Sequence, residues 1–178
     1  MRVNLKPWHE LSVEEDQAIA ALAEAVYPPE TQRQDPGRRF AWAQADWVIL
    51  ITDPHGRLVS LAGLLVRPAQ LDTKPVRIGG ISNVKTHPEA RRKGYAAAAV
   101  REALRFLADC GGTDFALLFC AAHNVPFYRQ RGWQSFRGDV LVAQPSGPTR
   151  FTAYEVLCQD LERPAPMRGT IDLCGMPW

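Results

Sequence analysis

Apolar and polar residues alternate along the chain in segments that predict an ordered series of strands and helices. Val3 to Trp8 predicts a short first strand. The run Ser12-Val13-Glu14-Glu15 is a capping box, so we expect a helix that begins there and ends before the helix-breaking pair Pro28-Pro29. The N-terminal region is therefore predicted to be a strand followed by a helix.

The next region combines a weak helical pattern with a hairpin. Gly37 to Gln44 predicts a second helical segment, which follows the polar stretch from Glu30 to Pro36. Two apolar runs, Trp47 to Thr52 and Leu58 to Val66, flank the turn sequence Asp53-Pro54-His55-Gly56. This order is typical of two antiparallel strands joined by a tight turn.

A strand, a helix and a second strand are predicted after the hairpin. Val76 to Thr86 predicts the first strand, and Ala96 to Cys110 predicts a helix with one apolar stripe, closed by Gly111-Gly112. Phe115 to Cys120 is apolar throughout, which a strand requires when both of its faces are covered. We therefore expect these two strands to run parallel, in an α/β fold with a mixed sheet.

Length and charge limit the classes of protein that fit. A chain of 178 residues can bury one substantial core, so we expect a single domain over residues 1–178. The formal charge of +2 and pI near 8.4 are too mild for a nucleic-acid binder, whose pI is usually above about 9. No nucleic-acid partner is expected.

The cysteines and the apolar runs indicate the compartment. Cys110, Cys120, Cys158 and Cys174 are widely spaced, without the paired spacing of a zinc site, and are expected to be structural thiols. No metal is predicted. Arg2 and Lys6 precede no signal-like apolar region, and no apolar run approaches the ~18 residues of a membrane span. The sequence therefore predicts a cytoplasmic protein without a membrane partner.

The segment from Thr86 to Ala96 is the most informative one for function. It joins a strand to a helix through the basic turn Arg91-Arg92-Lys93-Gly94. The first N–H groups of a helix have no intrahelical partner, and the helix dipole adds positive charge there. Gly94 removes a side chain that would keep a ligand from the backbone. We expect this turn to bind a diphosphate of the nucleotide type.

A second motif follows the apolar strand. Asn124 is expected to act as the N-cap of a short helix, with Pro126 tolerated in its first turn. The helix carries Phe127-Tyr128-x-x-x-Gly132-Trp133. A phenol is protonated at neutral pH, so Tyr128 can serve as a proton donor, whereas its alternative role is simply to pack by its ring.

These two motifs resemble those of a known superfamily. Arg91-x-x-Gly94-x-Ala96 resembles [QR]-x-x-G-x-[GA], the pyrophosphate-binding signature of the GNAT superfamily of acetyl-CoA-dependent N-acetyltransferases. The Tyr128 segment resembles its Leu-Tyr-x-x-x-Gly-Phe segment, in which the Tyr hydroxyl reaches the sulfur of coenzyme A. The resemblance implies the GNAT fold, with antiparallel N-terminal strands and a splayed parallel pair, and acetyl-CoA as the cofactor.

The resemblance also assigns roles to individual residues. The implied cofactor-binding residues are Val84, Thr86, Arg91, Arg92, Lys93, Gly94, Tyr95 and Ala96. Within that set, the backbone N–H groups of Val84 or Thr86 would stabilise the oxyanion that develops during acyl transfer. Tyr128 would protonate the leaving thiolate.

The C-terminal region is similar to the tail of the aminoglycoside 2'-N-acetyltransferases. The similarity is carried by Gly147-Pro148-Thr149, by a strand predicted to follow over Phe151 to Leu157, and by the final Gly175-x-x-Trp178. It implies that Asp172 and the carboxylate of Trp178 bind a cationic amine. Two positions depart from that group: Ser82 stands where an acidic base is expected, and Met176 stands where an Asp is expected.

The residue that accepts the proton of the amine is left open by the sequence. Ser82 or Asn83 acting through a water, the Trp178 carboxylate, and His123 are the alternatives. Asn83 is also a candidate substrate-binding residue, with Asp172 and Trp178. Because proximity of the two substrates can supply ~7 to 11 kcal/mol of the barrier reduction, a weak base is tolerable.

The resulting hypothesis is an acetyl-CoA-dependent N-acetyltransferase that acetylates a primary amine of a polar small molecule, with an aminoglycoside as the first candidate. An amino acid, a polyamine or a protein N-terminus is the alternative acceptor. A coenzyme-binding sensor without catalysis is a further alternative. The regiochemistry and the oligomeric state, a homodimer included, are left open by the sequence.

Overall fold

The computed structural model describes residues 1–29 and 33–178, which contain ten strands and three α-helices. The strands are β1 Arg2–Pro7, β2 Trp47–Thr52, β3 Leu58–Leu71, β4 Lys74–Thr86, β5 Phe115–Cys120, β6 Gln134–Ser135, β7 Asp139–Val142, β8 Thr149–Arg150, β9 Glu155–Asp160 and β10 Thr170–Asp172. The helices are α1 Val13–Val26, α2 Tyr95–Asp109 and α3 Val125–Arg129.

The chain divides into two compact units. Unit 1 contains Met1–Asp35, Ala45–Leu65 and Ile81–Arg105, and unit 2 contains Pro36–Gln44, Val66–Gly80 and Phe106–Trp178. The boundaries between the units fall inside β3, β4 and α2, so these three elements contribute residues to both. A single domain over residues 1–178 stays a prediction.

Unit 1 is built from antiparallel strands and α1. β1 pairs antiparallel with β2, and β2 pairs antiparallel with β3. The capping box of α1 is formed as predicted, since Ser12 Oγ accepts from Glu15 N at 3.2 Å and a Glu15 carboxylate oxygen accepts from Ser12 N at 2.9 Å. Leu22 of α1 packs with Val48, Leu50 and Leu61 of the strands, which closes the local core. The predicted N-terminal strands and helix are confirmed.

Unit 2 supplies the remaining strands, in both orientations. β5 pairs antiparallel with β9, which pairs antiparallel with β6 on its other edge. β10 lies between β3 and β7, antiparallel to the first and parallel to the second, and β8 follows β7. The sheet is therefore mixed, and the predicted mixed α/β fold class is confirmed.

β4 and β5 are neighbours in the sheet, with α2 as the connection between them. Their early residues lie side by side, because Arg77 N donates to Asp114 Oδ2 and Asp114 N donates to Arg77 O, both at 2.8 Å. The two strands therefore run in the same direction. Leu107 of α2 packs so closely on Gly79 that a Cβ at Gly79 would lie 2.8 Å from its side chain.

Three predicted elements are corrected by the structure. The helix predicted over Gly37 to Gln44 is only a 3-10 turn, Pro36–Arg39. The strand predicted over Phe151 to Leu157 begins at Glu155, because Phe151 buries its ring among other aromatic side chains. β3 continues past its predicted end at Val66, through Pro68, to Leu71.

Three further expectations concern the polar stretch before Gly37, the cysteines and membrane-spanning helices. Glu30, Thr31 and Gln32 of the predicted polar stretch lie outside the described residues. All four cysteines are free thiols, of which Cys120 and Cys158 are buried. Within residues 1–29 and 33–178, no helix has both the length and the apolar character needed to cross a bilayer.

Candidate active site

β4 leaves the protein interior at Asn83. Ile78 to Ser82 are buried, whereas Asn83 is exposed and has a φ of +52°, in the left-handed region that Asn tolerates better than most residues. The end of the strand is held to β3, since Ser60 Oγ donates to Lys85 O at 2.7 Å and His87 N donates to Val59 O at 2.8 Å. The last residues of β4 are thus fixed in place but turned towards the surface.

A turn over residues 87–96, here called the basic turn, connects β4 to α2. Arg92 and Gly94 adopt left-handed backbone angles, with φ of +62° and +83°. Ala98 N donates to Gly94 O at 2.9 Å, which is the first bond of the helical ladder. The N–H groups of the three preceding residues, Tyr95 to Ala97, come before that bond and so have no carbonyl partner within the helix.

The basic turn suits an anionic ligand. Arg91, Arg92 and Lys93 are exposed, and the positive end of the α2 dipole adds to their charge. A Cβ built on Gly94 would meet no atom within 4 Å, so the space over its backbone is open. These features fit the diphosphate arm of a coenzyme A molecule.

Lys85 lies beside the turn and was not selected by sequence reasoning. Its Nζ lies 5.7 Å from the centroid of the Tyr27 ring. Burial lowers the pKa of the Lys85 ammonium. Burial also raises the pKa of Tyr27. The negative charge of Asp35 raises this pKa further, and the positive charge of Arg91 lowers it. Both features depend on contacts between distant segments, so no local sequence signal marks them.

The Ser82 hydroxyl is enclosed by its neighbours. Its Oγ is buried and has no hydrogen-bond partner among the described residues. It lies against β3, where a Cβ on Gly63 would be only 2.6 Å from it. The structure therefore shows no open path from Ser82 Oγ to solvent, and a role as a relay for the amine proton stays a prediction.

Tyr128 is a buried residue of α3. Its ring packs edge-on against Trp133, with centroids 6.0 Å apart, and its carbonyl oxygen accepts from Arg131 N at 2.8 Å. Gly132 has a φ of +89°, which lets the chain reverse between these two aromatic residues. Asn124 occupies the N-cap position but makes no side-chain capping bond, and His123 is exposed.

Trp178 is buried in unit 2. Its indole Nε1 donates to Leu117 O of β5 at 3.3 Å. The same ring lies on β4, where a Cβ at Gly80 would be 2.4 Å from Trp178 Cε2. Arg67 covers the ring at 5.3 Å from its centroid, and Arg67 Nη1 donates to Met176 O at 2.8 Å. The Trp178 indole therefore contacts both β4 and β5.

Asp172 closes a local turn at the end of β10. Its Oδ1 accepts from Cys174 N at 2.8 Å, and the residue is half-buried. One oxygen of this carboxylate is therefore already used within the chain. Substrate binding by Asp172 and by the Trp178 carboxylate stays a prediction.

An aromatic cluster extends from Trp178 and was missed by sequence reasoning. Its members are Phe40, Trp42, Phe119, Phe151, Tyr154 and Trp178. Phe151 is central, with ring centroids at 4.4 Å from Phe119 and 4.9 Å from Phe40. Gly37 lies under the cluster, because a Cβ there would be 2.6 Å from the Tyr154 hydroxyl. No periodic signal links these residues, which come from four separate segments.

Comparison with known proteins decides the family. Residues 9–136, more than half of the chain, match the family model described as the acetyltransferase (GNAT) domain. The chain belongs to the GNAT acetyltransferase family. It is therefore an acetyltransferase domain, and acetyl-CoA is the cofactor of its family. The predicted GNAT membership, enzyme class and cofactor are confirmed.

Solved structures agree with this assignment at the level of the fold. ElaA from Escherichia coli is 16% identical, with a TM-score of 0.63 over 89% of this chain and 99% of that one. YhbS from Escherichia coli, a GNAT family protein in complex with CoA, is 15% identical with a TM-score of 0.61 over 97% and 90%. A GNAT family acetyltransferase from Brucella melitensis, in complex with acetyl-CoA, is 14% identical with a TM-score of 0.59 over 96% and 94%.

The acceptor of this GNAT domain is not identified by similarity. No significant match to the chain was found among proteins of curated function. The narrower likeness to aminoglycoside 2'-N-acetyltransferases has no support from the family model or from these structures.

The contact between Gly80 and Trp178 gives the first testable prediction. At an uncrowded strand position, Gly→Ala would stabilise by roughly 0.5–1 kcal/mol. Gly80→Ala should instead destabilise by about 1–3 kcal/mol, because the new methyl group would overlap the indole. Urea unfolding measures this change.

A double mutant separates this contact from other effects of the methyl group. Added to Trp178→Leu, Gly80→Ala should cost less than it does alone, by about 0.5 kcal/mol or more. Additive costs in the two backgrounds would show that the indole does not pack on Gly80.

Proposed function

We propose that this GNAT domain transfers the acetyl group of acetyl-CoA to a primary amine of a polar small molecule. The observation that carries the proposal is the basic turn, in which Gly94 holds a left-handed angle over open space at the start of α2. The complexes of YhbS with CoA and of the Brucella protein with acetyl-CoA support it.

The residues of the basic turn would hold the coenzyme through its diphosphate. The N–H groups around Gly94, Tyr95 and Ala96 would donate to its oxygens, and Arg91, Arg92 and Lys93 would add long-range attraction. The coenzyme supplies an activated acetyl thioester when bound. The N–H groups of Val84 and Thr86, beyond the turn of the strand at Asn83, are the proposed donors to the thioester oxygen.

Tyr128 is the proposed proton donor. Its Oη would give a proton to the sulfur that leaves when the acetyl group is transferred. Its burial supports this role, since a hydrogen bond from a phenol is stronger where water is excluded.

The proton of the amine must be accepted by another group. Asn83 through a water, the Trp178 carboxylate and His123 stay as candidates, and so does Ser82, whose Oγ is buried. The acceptor is proposed to be a small amine. An aminoglycoside, an amino acid, a polyamine and a protein N-terminus are the classes to compare. A cytoplasmic location and a homodimer stay predictions.

A thiol-release assay tests the proposal directly. Acetyl-CoA is incubated with the protein and a panel that contains each of these four amine classes, and free coenzyme A is measured with a thiol reagent. At least one amine should give release above the rate with water alone, and mass spectrometry should find that amine heavier by one acetyl group. Coenzyme binding without release for any amine would instead indicate a sensor.

Replacement of Gly94 tests the basic turn against a matched control. Gly94 and Gly56 both have a φ of +83°, and a Cβ would meet nothing within 4 Å at either. Each Gly→Ala variant should lose about 1–3 kcal/mol of stability from backbone strain. Only Gly94→Ala should weaken acetyl-CoA binding, by roughly tenfold or more, because the methyl group displaces the diphosphate from the backbone N–H groups.

Calorimetry with both variants measures these affinities. Equal coenzyme affinities for Gly94→Ala and Gly56→Ala would remove the basic turn from the binding site.

Replacement of Tyr128 by Phe tests the proton donor. Loss of a general acid usually lowers a rate by roughly a hundredfold or more, so kcat should fall by that factor. The affinity for coenzyme A should change far less, because ring packing against Trp133 is kept. Steady-state kinetics and calorimetry on the same preparation measure the two effects. An unchanged kcat would leave Tyr128 with a packing role alone.

A further inference from the structure

Unit 2 contains a basic cleft that the catalytic roles above do not use. Its volume is about 650 Å³, within the range of small-molecule sites. One wall is the 3-10 turn that ends at Arg39, with Phe40 and Ala41, and the other wall is the segment over residues 144–152, which includes β8. We call this the arginine cleft.

The residues that line the arginine cleft are basic or neutral. Three arginines line it, Arg38, Arg39 and Arg150, and three hydroxyl residues, Ser146, Thr149 and Thr152, lie among them. None of the ten described residues that form its walls is acidic. Guanidinium groups with hydroxyl neighbours are the donor set that carboxylates and phosphates bind.

We propose that the acceptor amine carries a carboxylate or phosphate group, and that the arginine cleft binds this anion. The inference rests on the proposed function and names the chemical class of its acceptor. A purely cationic acceptor, such as an aminoglycoside or a polyamine, is disfavoured, because the guanidinium groups of the cleft would repel its positive charges.

The cleft is held in shape before any ligand arrives. Gln144 Oε1 accepts from Ala41 N at 2.7 Å, and its Nε2 donates to Ala41 O at 3.0 Å, so this side chain joins the two walls. Arg39 Nη2 donates to Thr152 Oγ1 at 2.6 Å, and its guanidinium lies 5.3 Å from the Phe40 ring centroid. Such prior ordering lowers the entropy that binding an anion would cost.

Arg150 is also oriented, because it forms an ion pair with Asp139. Both partners are substantially exposed, with 63% of the Arg150 side chain and 45% of the Asp139 side chain accessible. An exposed pair contributes little binding energy, so a bound anion can share the guanidinium at small cost.

An aromatic path leads from the arginine cleft to β4 within unit 2. Phe40, in the cleft wall, packs on Phe151, and Phe151 packs on Phe119. Phe119 lies 5.6 Å from the Trp178 ring, which rests on Gly80 of β4. Within unit 2, the cleft and Trp178, whose carboxylate is a candidate to accept the amine proton, are thus joined by one continuous packed wall.

Paired acceptors test the inference. β-Alanine is compared with β-alaninamide, and O-phosphoethanolamine with ethanolamine, so that each pair differs in the anion. Spermidine and an aminoglycoside represent cations. For at least one pair, kcat/KM of the anionic member should exceed that of its neutral partner by roughly tenfold or more. The neutral partner lacks the anionic group and therefore loses a charge-assisted hydrogen bond to the cleft. The two pairs separate a carboxylate from a phosphate acceptor.

Variants of the cleft supply the structural readout. Arg39→Gln and Arg150→Gln should each raise KM for the anionic acceptor by roughly tenfold. The kcat for that acceptor, the KM for acetyl-CoA and the KM for the neutral member of the pair should stay unchanged. Arg39→Lys should recover part of the loss, because it keeps the charge without the planar fork. Arg168→Gln is the control, since Arg168 is exposed and does not line the cleft.

Anion binding is also measured without turnover. Inorganic phosphate and malonate are titrated into protein saturated with coenzyme A, so that the basic turn is already filled. At least one of them should bind to wild type and to Arg168→Gln, and binding should be lost in the Arg39→Gln/Arg150→Gln protein.

The outcomes distinguish this inference from the proposed function. The inference would be overturned by equal kcat/KM values for the anionic and neutral members of both pairs, by a preference for spermidine or the aminoglycoside, or by unchanged KM values in both arginine variants. Acetyl transfer itself would still stand in each of these cases. Absence of both coenzyme binding and thiol release with every amine would overturn the proposed function, and with it the inference.

Discussion

The end of β4 is the constraint on which the rest of this structure depends. A regular strand would pair both edges of its backbone, and a capped helix would satisfy its first N–H groups with side chains. Here the backbone turns left-handed at Asn83, Arg92 and Gly94, and α2 begins in a basic turn with open space above it. The proposed donors to the coenzyme are therefore set by backbone geometry, and exposed side chains add positive charge beside them.

Packing in unit 2 places a second constraint on the same strand. The Trp178 indole packs directly on Gly80, in space that any side chain at position 80 would fill. The indole N–H also donates to the Leu117 carbonyl oxygen. The aromatic cluster that extends from this ring is an apolar wall, and it ends at an arginine-lined cleft.

The sequence predicted the features that depend on neighbours in the chain. Phe115 to Cys120 formed the predicted strand with the same bounds, and the helix predicted from Ala96 to Cys110 is shifted by one residue at each end. Helix caps, apolar stripes and a glycine in a basic turn are local signals. The family followed from such signals, because its motifs lie within short segments.

The features that depend on distant segments were not predicted. The expected helix over Gly37 to Gln44 is replaced by bonds from Trp42 Nε1 to Gly37 O and between Ala41 and Gln144. Arg39 and Thr152 meet across 113 positions, so no pattern could show that they share a cleft. Ser82 was selected by its position in β4, but its contact with Gly63 was not visible in the sequence.

One proposal connects the family with the basic turn: backbone N–H groups of that turn bind the diphosphate of coenzyme A. Calorimetric titration of the wild-type and Gly94→Ala proteins with coenzyme A and with pantetheine, which lacks the diphosphate and the adenosine 3'-phosphate attached to it, tests this claim most directly. Saturable binding of coenzyme A, with pantetheine weaker by roughly a hundredfold or more, is the predicted result. Equal affinities for the two compounds, or no heat with coenzyme A, would contradict it.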